Sequence, residues 1–191
     1  MPSSPNCEME MKAVDNSADQ LILVDLLDNA IGSCGKMGCH QKGLLHRAFS
    51  VFLFDGERLL VTKRAPTKYH SGGLWTNACC SHPRAGESLE DAVARRLEEE
   101  LGIRGVECSE VGTYCYRAVF ENGITEYEYD HVYLGRWSGS PALDPTEAVD
   151  ARWVALPDVM REVQDAPSDF SAWFPGTLSM VLPWLGLDAL A

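Results

Sequence analysis

Between Asn77 and Ile103 the chain reads NACCSHPRAGESLEDAVARRLEEELGI, two adjacent cysteines and a histidine just ahead of a segment dense in carboxylates and guanidiniums. Arg96 and Glu100 stand four apart, as do Arg95 and Glu99, so on a helix each pair shares a face. Taken alone, such pairs are ordinary solvated ion pairs of a surface helix. Other groups change the setting. His40, His46 and His82 all precede the helix, and Glu126 and Glu128, two apart in an alternating segment, point to one face of a strand. Singly, each histidine reads as a surface or hydrogen-bonded core residue, and the two acids as the polar edge of a sheet. Together, three imidazoles and two carboxylates suit a divalent ion such as Mn²⁺, Mg²⁺ or Zn²⁺, with no thiolate required.

In an extended segment Cys80 and His82 share a face while Cys79 points away. The thiol that belongs with the histidines is then Cys80, and Cys79 reads as a small buried residue. Cys34, Cys39 and His40 hint at a zinc knuckle, but no second ligand pair at suitable spacing supports one. His131, an odd number of residues from Glu128, faces the other side of the same strand.

The elements that must position these groups follow from pattern. LILVDLLDNAIG reads as an opening strand and turn, and HRAFSVFLFDGERLLVTKRA as two strands joined at Asp55-Gly56. LWTNACC reads as one further short strand. Ser88, with Asp91 three residues on, predicts a helix N-cap; Leu89, Val93, Leu97 and Leu101 form its apolar stripe, and Gly102 ends it. VECSEVGTYCYRAVF and ITEYEYDHVYLGRW alternate around Asn122-Gly123 and predict a second hairpin. ARWVAL predicts a strand followed by a short helix. The apolar tail predicts a final helix, shortened or kinked at Pro183. Strands on both sides of one charged helix imply a mixed α/β sandwich.

The 191 residues suffice for one sizeable core, so the expected organisation is an extension over residues 1–20 and a single domain over 21–191. Hydrophobic residues at 46 % and charged residues at 23 % describe a globular chain. The start lacks a secretory pattern and no run is long and apolar enough to span a bilayer, so the expectation is a cytoplasmic protein without a membrane partner. Seven cysteines, an odd count, read as free thiols. A net charge of −12 argues against nucleic acid, and an anionic small molecule needs a local cation cluster or a metal.

The stretch from Glu87 to Ile103 resembles the Nudix box, G-x5-E-x7-R-E-U-x-E-E-x-G-U with U aliphatic. Glu87, Arg95, Leu97, Glu99, Glu100, Gly102 and Ile103 fall on its positions. Ser81 replaces the opening glycine, and Arg96 stands where Nudix hydrolases carry a metal-binding glutamate. A guanidinium there weakens a multi-metal hydrolytic centre and creates a bidentate donor for phosphate oxygens.

LLVTKRA, GLWTNACCSHPRAGES, DAVARRLEEELG, YRA and EYEYDHV together resemble type 1 isopentenyl-diphosphate isomerase, a branch of the Nudix superfamily, from about Lys36 to Trp173. The resemblance implies an α/β (α+β) fold, a Nudix-like mixed β-sheet sandwiched between helices, with an extra N-terminal strand and a C-terminal helical segment. It implies interconversion of isopentenyl and dimethylallyl diphosphate, by protonating an alkene and removing a proton from the neighbouring carbon. Such a site needs an acid, a base across the allyl unit and shelter for a developing tertiary cation. By resemblance Cys80 is the thiol acid/base, Glu128 the carboxylate partner and also a metal ligand, Tyr116 its hydrogen-bonding assistant, and Trp173 an aromatic face for the carbocation. Trp75 is nearer to structure. His40, His46, His82, Glu126 and Glu128 would hold Mn²⁺ or Mg²⁺, or Zn²⁺, and Glu100 a Mg²⁺ that bridges to the diphosphate. Lys36, Arg64, Lys68 and Arg96 match the phosphate-contacting cations. The implied partner is a small isoprenoid diphosphate, taken by a monomer. The rival reading is a Nudix pyrophosphohydrolase acting on a nucleoside diphosphate derivative. Glu87, Glu99 and Glu100 favour it, while Arg96, Cys80 with His82, and Glu126 with Glu128 count against it.

Overall fold

The computed structural model describes residues 20–186. The expected extension therefore lies outside the described residues, except for Gln20, which opens the first strand. The elements run β1 (Gln20–Val24), β2 (Ala30–Gly35), α1 (Lys36–Lys42), β3 (His46–Asp55), β4 (Arg58–Arg64), β5 (Trp75–Thr76), β6 (Cys79–Ser81), α2 (Leu89–Leu101), β7 (Cys108–Val119), β8 (Thr125–Arg136), β9 (Ala148–Ala155), α3 (Leu156–Asp165) and α4 (Phe174–Val181).

β3 is the hub of the mixed sheet. It pairs antiparallel with β1, β4 and β6 and parallel with β8, while β7 extends the sheet from β8 and β9 from β4. Nearly every residue of β3 is buried because both faces are covered. Phe49, Val51 and Leu53 pack with Val93, Leu97 and Leu101 of α2 on one side. Phe52 and Phe54 pack with α3 and α4 on the other. The sheet is thus sandwiched between helices, as the sequence implied.

Both predicted hairpins form, with Gly56 and Gly123 at positive φ in their turns. α2 begins at Ser88, whose hydroxyl accepts from the Asp91 backbone N–H at 3.1 Å, and ends at Gly102 in the left-handed conformation. Three details differ from expectation. The opening strand and turn continue into a full hairpin, β1–β2. LWTNACC is broken into β5 and β6, because the buried Asn77 side chain takes the carbonyls of Val51 and Cys79 at 3.1 and 2.7 Å and turns the backbone out of the ladder. And α1, not expected at all, carries Lys36 and His40. The last helix stops at Val181, and a single 3₁₀ turn over Leu182–Leu185 holds Pro183.

α4 approaches β7 through Gly176, where a Cβ would lie 2.2 Å from the Tyr114 ring. This close approach fixes the start of α4 and therefore Trp173, which precedes it.

Candidate active site

The site gathers at the end of the sheet where β3, β6 and β8 meet. In the parallel β3–β8 register His46 stands directly opposite Glu128. His82 follows β6, and His40 projects from α1. Their four ligand atoms lie within 4.8 Å of one another. His82 Nε2 is 2.9 Å from Glu128 Oε1 and 3.2 Å from His46 Nε2. His40 Nδ1 and His46 Nδ1 sit 2.6 and 2.8 Å from the backbone carbonyls of Lys36 and Leu44. A carbonyl only accepts, so each Nδ1 carries a proton and each Nε2 is the atom left to face the group. Burial holds His40 down to about 4 and His82 down to about 3, so both are neutral near pH 7. Three imidazole nitrogens converging beside a carboxylate fit a divalent cation.

Glu126 stands beside this group rather than inside it. Its Oε1 is 4.0 Å from His40 Nε2 but only 2.7 Å from His70 Nε2. Tyr116, opposite Glu128 on β7, places its hydroxyl 2.6 Å from Glu128 and 2.9 Å from Glu126. Burial and the Glu128 charge raise the Glu126 pKa. Burial also opposes ionisation of Glu128, but the His46 and His82 imidazoles outweigh it and hold this carboxyl well below the usual range. The two acids are thus pushed apart in proton affinity.

Cys80 faces the pocket and Cys79 the α2 core, as strand alternation required. The Cys80 thiol donates to Asn77 Oδ1 at 2.8 Å, and its sulfur accepts the Trp173 indole N–H at 3.0 Å. Burial, then the nearby Asp130, push the thiol up to about 12, so it is protonated at neutral pH. Trp173 is expected to offer a ring face; the structure shows its N–H edge on the sulfur and the Arg64 guanidinium over the ring at 5.1 Å.

Lys36, Arg64, Lys68 and Arg96 line the same narrow pocket of about 50 Å³ as Cys80, Tyr116, Glu128 and Trp173. A wider cleft of about 1000 Å³ shares Lys36, Lys68, His82 and Arg96 with it. Arg64 Nε is buried with no acceptor among the described residues. Glu100 belongs neither to the four-donor group nor to the pocket lining: its Oε1 accepts from Arg96 at 2.6 Å and from the Cys79 thiol at 3.3 Å. Burial raises its pKa against the pull of Arg96.

Four groups were not expected from the sequence. His70 lines the pocket wall, stacked on Phe120 at 4.9 Å and edge-on to Trp173 at 5.8 Å. Asn77 holds the thiol. Ser50 links the buried Asp130, at 2.7 Å, toward Cys80. Glu147 joins Lys68 to Arg96. Ser50 and Asn77 lie inside stretches read for other features, and His70 and Glu147 lie between elements. His131 faces the opposite side of β8, bound to Glu110 and Asp28 at 2.9 and 3.1 Å.

The NUDIX domain pattern matches residues 44–174. A protein from Photorhabdus laumondii named Isopentenyl-diphosphate Delta-isomerase 2 is 50 % identical over 157 residues, covering 81 % of this chain and 87 % of its own. The chain belongs to the isopentenyl-diphosphate Delta-isomerase family, a branch of the NUDIX-domain proteins. A second member of that isomerase family, from Aromatoleum aromaticum, is 47 % identical over 171 residues, covering 89 % of this chain and 90 % of its own. A crystal structure from Deinococcus radiodurans overlays with a TM-score of 0.64 at 16 % identity, over 78 % of this chain and 90 % of that one, which reports the shared fold. The NUDIX match begins after α1, so Lys36 and His40 of this isomerase-family chain lie outside it.

Proposed function

We propose that the chain interconverts isopentenyl diphosphate and dimethylallyl diphosphate. The observation that carries the reading is the protonated Cys80 thiol in one pocket with an ionised carboxylate, Glu128, and four cations. A plain alkene is a very weak base, so an acid held in a water-poor pocket is the scarce requirement.

The diphosphate is taken by Lys36, Arg64, Lys68 and Arg96, with Arg64 Nε supplying a donor that lacks an acceptor. The Cys80 proton passes to the terminal alkene carbon, leaving a thiolate hydrogen-bonded by Trp173 and a tertiary cation at the neighbouring carbon. Glu128 removes a proton from the carbon on the other side, and the double bond forms there. Tyr116, whose phenol burial keeps protonated, donates to Glu128 and steadies it, and exchange with solvent then restores the Cys80 thiol and the Glu128 carboxylate. The Trp173, Tyr116 and His70 rings exclude water from the cation.

His40, His46, His82 and Glu128, with Glu126 beside them, would hold Mn²⁺, Mg²⁺ or Zn²⁺, which supplies positive charge that favours the ionised carboxylate. A Mg²⁺ at Glu100 that accompanies the diphosphate belongs to the same proposal. So do action as a monomer, since every group comes from one chain, and a cytoplasmic location; no described helix is long and apolar enough to cross a membrane. Hydrolysis is disfavoured because Arg96 engages Glu100 where a second metal-binding acid would stand.

The test is incubation of purified protein with isopentenyl diphosphate and Mg²⁺, following dimethylallyl diphosphate by chromatography and released phosphate in parallel. Product without phosphate, lost in Cys80→Ala with the fold retained, is the expected result. Full activity in that variant would refute the role of Cys80, and phosphate release would favour the hydrolase.

A further inference from the structure

Glu147 sits in the loop before β9 and lines both the narrow pocket and the wider cleft. Its two oxygens are divided between two of the four cations. Oε2 accepts from Lys68 Nζ, and Oε1 lies 3.2 Å from Arg96 Nη2. Lys36 and Arg64 line the same pocket but form no ion pair with any described residue. The cations therefore fall into an open pair, Lys36 and Arg64, of which Lys36 feels Glu147 only through space, and a pair bridged by Glu147, in which Arg96 is also held by Glu99 and Glu100. Burial works against the Glu147 charge, but Lys68 and Arg96 outweigh it and keep the group ionised.

We infer that Glu147 is a displaceable internal counter-ion: one phosphate of a diphosphate docks on Lys36 and Arg64, and the other takes Lys68 and Arg96 away from Glu147. The inference rests on the diphosphate reading above. The incoming phosphate meets a like charge that it must push aside, so Glu147 weakens diphosphate binding. Substrate and product carry the same diphosphate, so a tighter hold would lower KM and slow release without lowering the chemical barrier. Glu147 thus sets the affinity of the site, not the rate of proton transfer, and it holds Lys68 in place until the anion arrives. A carboxylate that served only as a brace would act with the opposite sign.

The test is calorimetric titration of the full chain with sodium pyrophosphate and with sodium orthophosphate, with and without Mg²⁺, in wild type and Glu147→Gln. Glutamine keeps the shape and an acceptor for Lys68 while removing the charge. Pyrophosphate is expected to bind the variant about tenfold more tightly, and orthophosphate, served by the open pair, to change by less than about twofold. KM for isopentenyl diphosphate falls in parallel, and kcat does not rise. Equal tightening of both anions would reduce the effect to general field and overturn the inference. Weaker pyrophosphate binding would also overturn it, making Glu147 a brace or, if confined to titrations with Mg²⁺, a ligand of the accompanying cation. Thermal melts confirm the fold, and Glu147→Ala repeats the measurement if the glutamine variant unfolds. Should wild type bind no pyrophosphate under any condition, the diphosphate reading itself fails; should it bind and the variant match it, only the role of Glu147 fails.

Discussion

The indole N–H of Trp173 points at the Cys80 sulfur from 3.0 Å, although the two residues are 93 apart in the chain. The contact joins the start of the C-terminal helical segment to β6 and gives Trp173 a polar task beside its aromatic one. Trp173→Phe keeps a ring and removes the donor that steadies the thiolate. Steady-state kinetics should show kcat down about tenfold, the equivalent of one hydrogen bond, with KM little changed. Trp173→Leu, which also removes the ring beside the cation, should cost more; an equal loss in both would deny the N–H its part.

A thiol held up to about 12 makes its own prediction. Only the thiolate alkylates, so iodoacetamide should modify Cys80 slowly near neutral pH, and the rate should climb about tenfold per pH unit from roughly pH 7 to 10 without a plateau. Peptide mass spectrometry separates Cys80 from the exposed Cys115 and from the other cysteines. A plateau near pH 7 would mean a standing thiolate and would turn Cys80 from acid to base in the resting site.

Tyr116 hydrogen-bonds both Glu126 and Glu128, and no other described hydroxyl does so. In Tyr116→Phe the two carboxylates face each other without it. kcat should fall about 10²- to 10⁴-fold, the range of a lost acid–base partner, while KM, set by the phosphate cations, stays within about threefold. A matching rise in KM would point to a collapsed pocket instead.

The four-donor group predicts metal-linked stability. At a concentration about 100 times its Kd, a bound divalent ion should add about 2.7 kcal/mol to unfolding, read as a higher Tm that a chelator reverses. His82→Ala should lose that shift while Glu100→Gln keeps it, because Glu100 stands outside the group. Loss in both would merge the two sites.

Gly176→Ala tests how Trp173 is placed. A Cβ 2.2 Å from Tyr114 cannot be accommodated unless α4 moves, so the variant should lose about 1–3 kcal/mol of stability and some activity together.

Much of this site is legible in sequence because its residues sit in regular elements. Alternation puts Glu126 and Glu128 on one face, and Asn122-Gly123 fixes the hairpin that brings Tyr116 opposite Glu128. Ser88 and Gly102 bound the helix that carries Arg96. What escaped lies where local pattern is silent. α1 is seven residues long, with Gly38 inside and no side-chain cap; the burial of Cys39 and His40 holds it, which is a tertiary effect. His70, Asn77 and Glu147 lie between elements, where position depends on the packed whole. His70 looks like any loop histidine until Trp173 and Glu126 close around it.

Deuterium placement tests the central claim most directly: proton NMR of isopentenyl diphosphate with enzyme and Mg²⁺ in deuterated water. Proton transfer from an exchangeable Cys80 thiol predicts dimethylallyl diphosphate carrying deuterium in the methyl group newly made from the terminal alkene carbon, with no phosphate released. Unchanged substrate after metal reconstitution, or phosphate without allylic exchange, would contradict it.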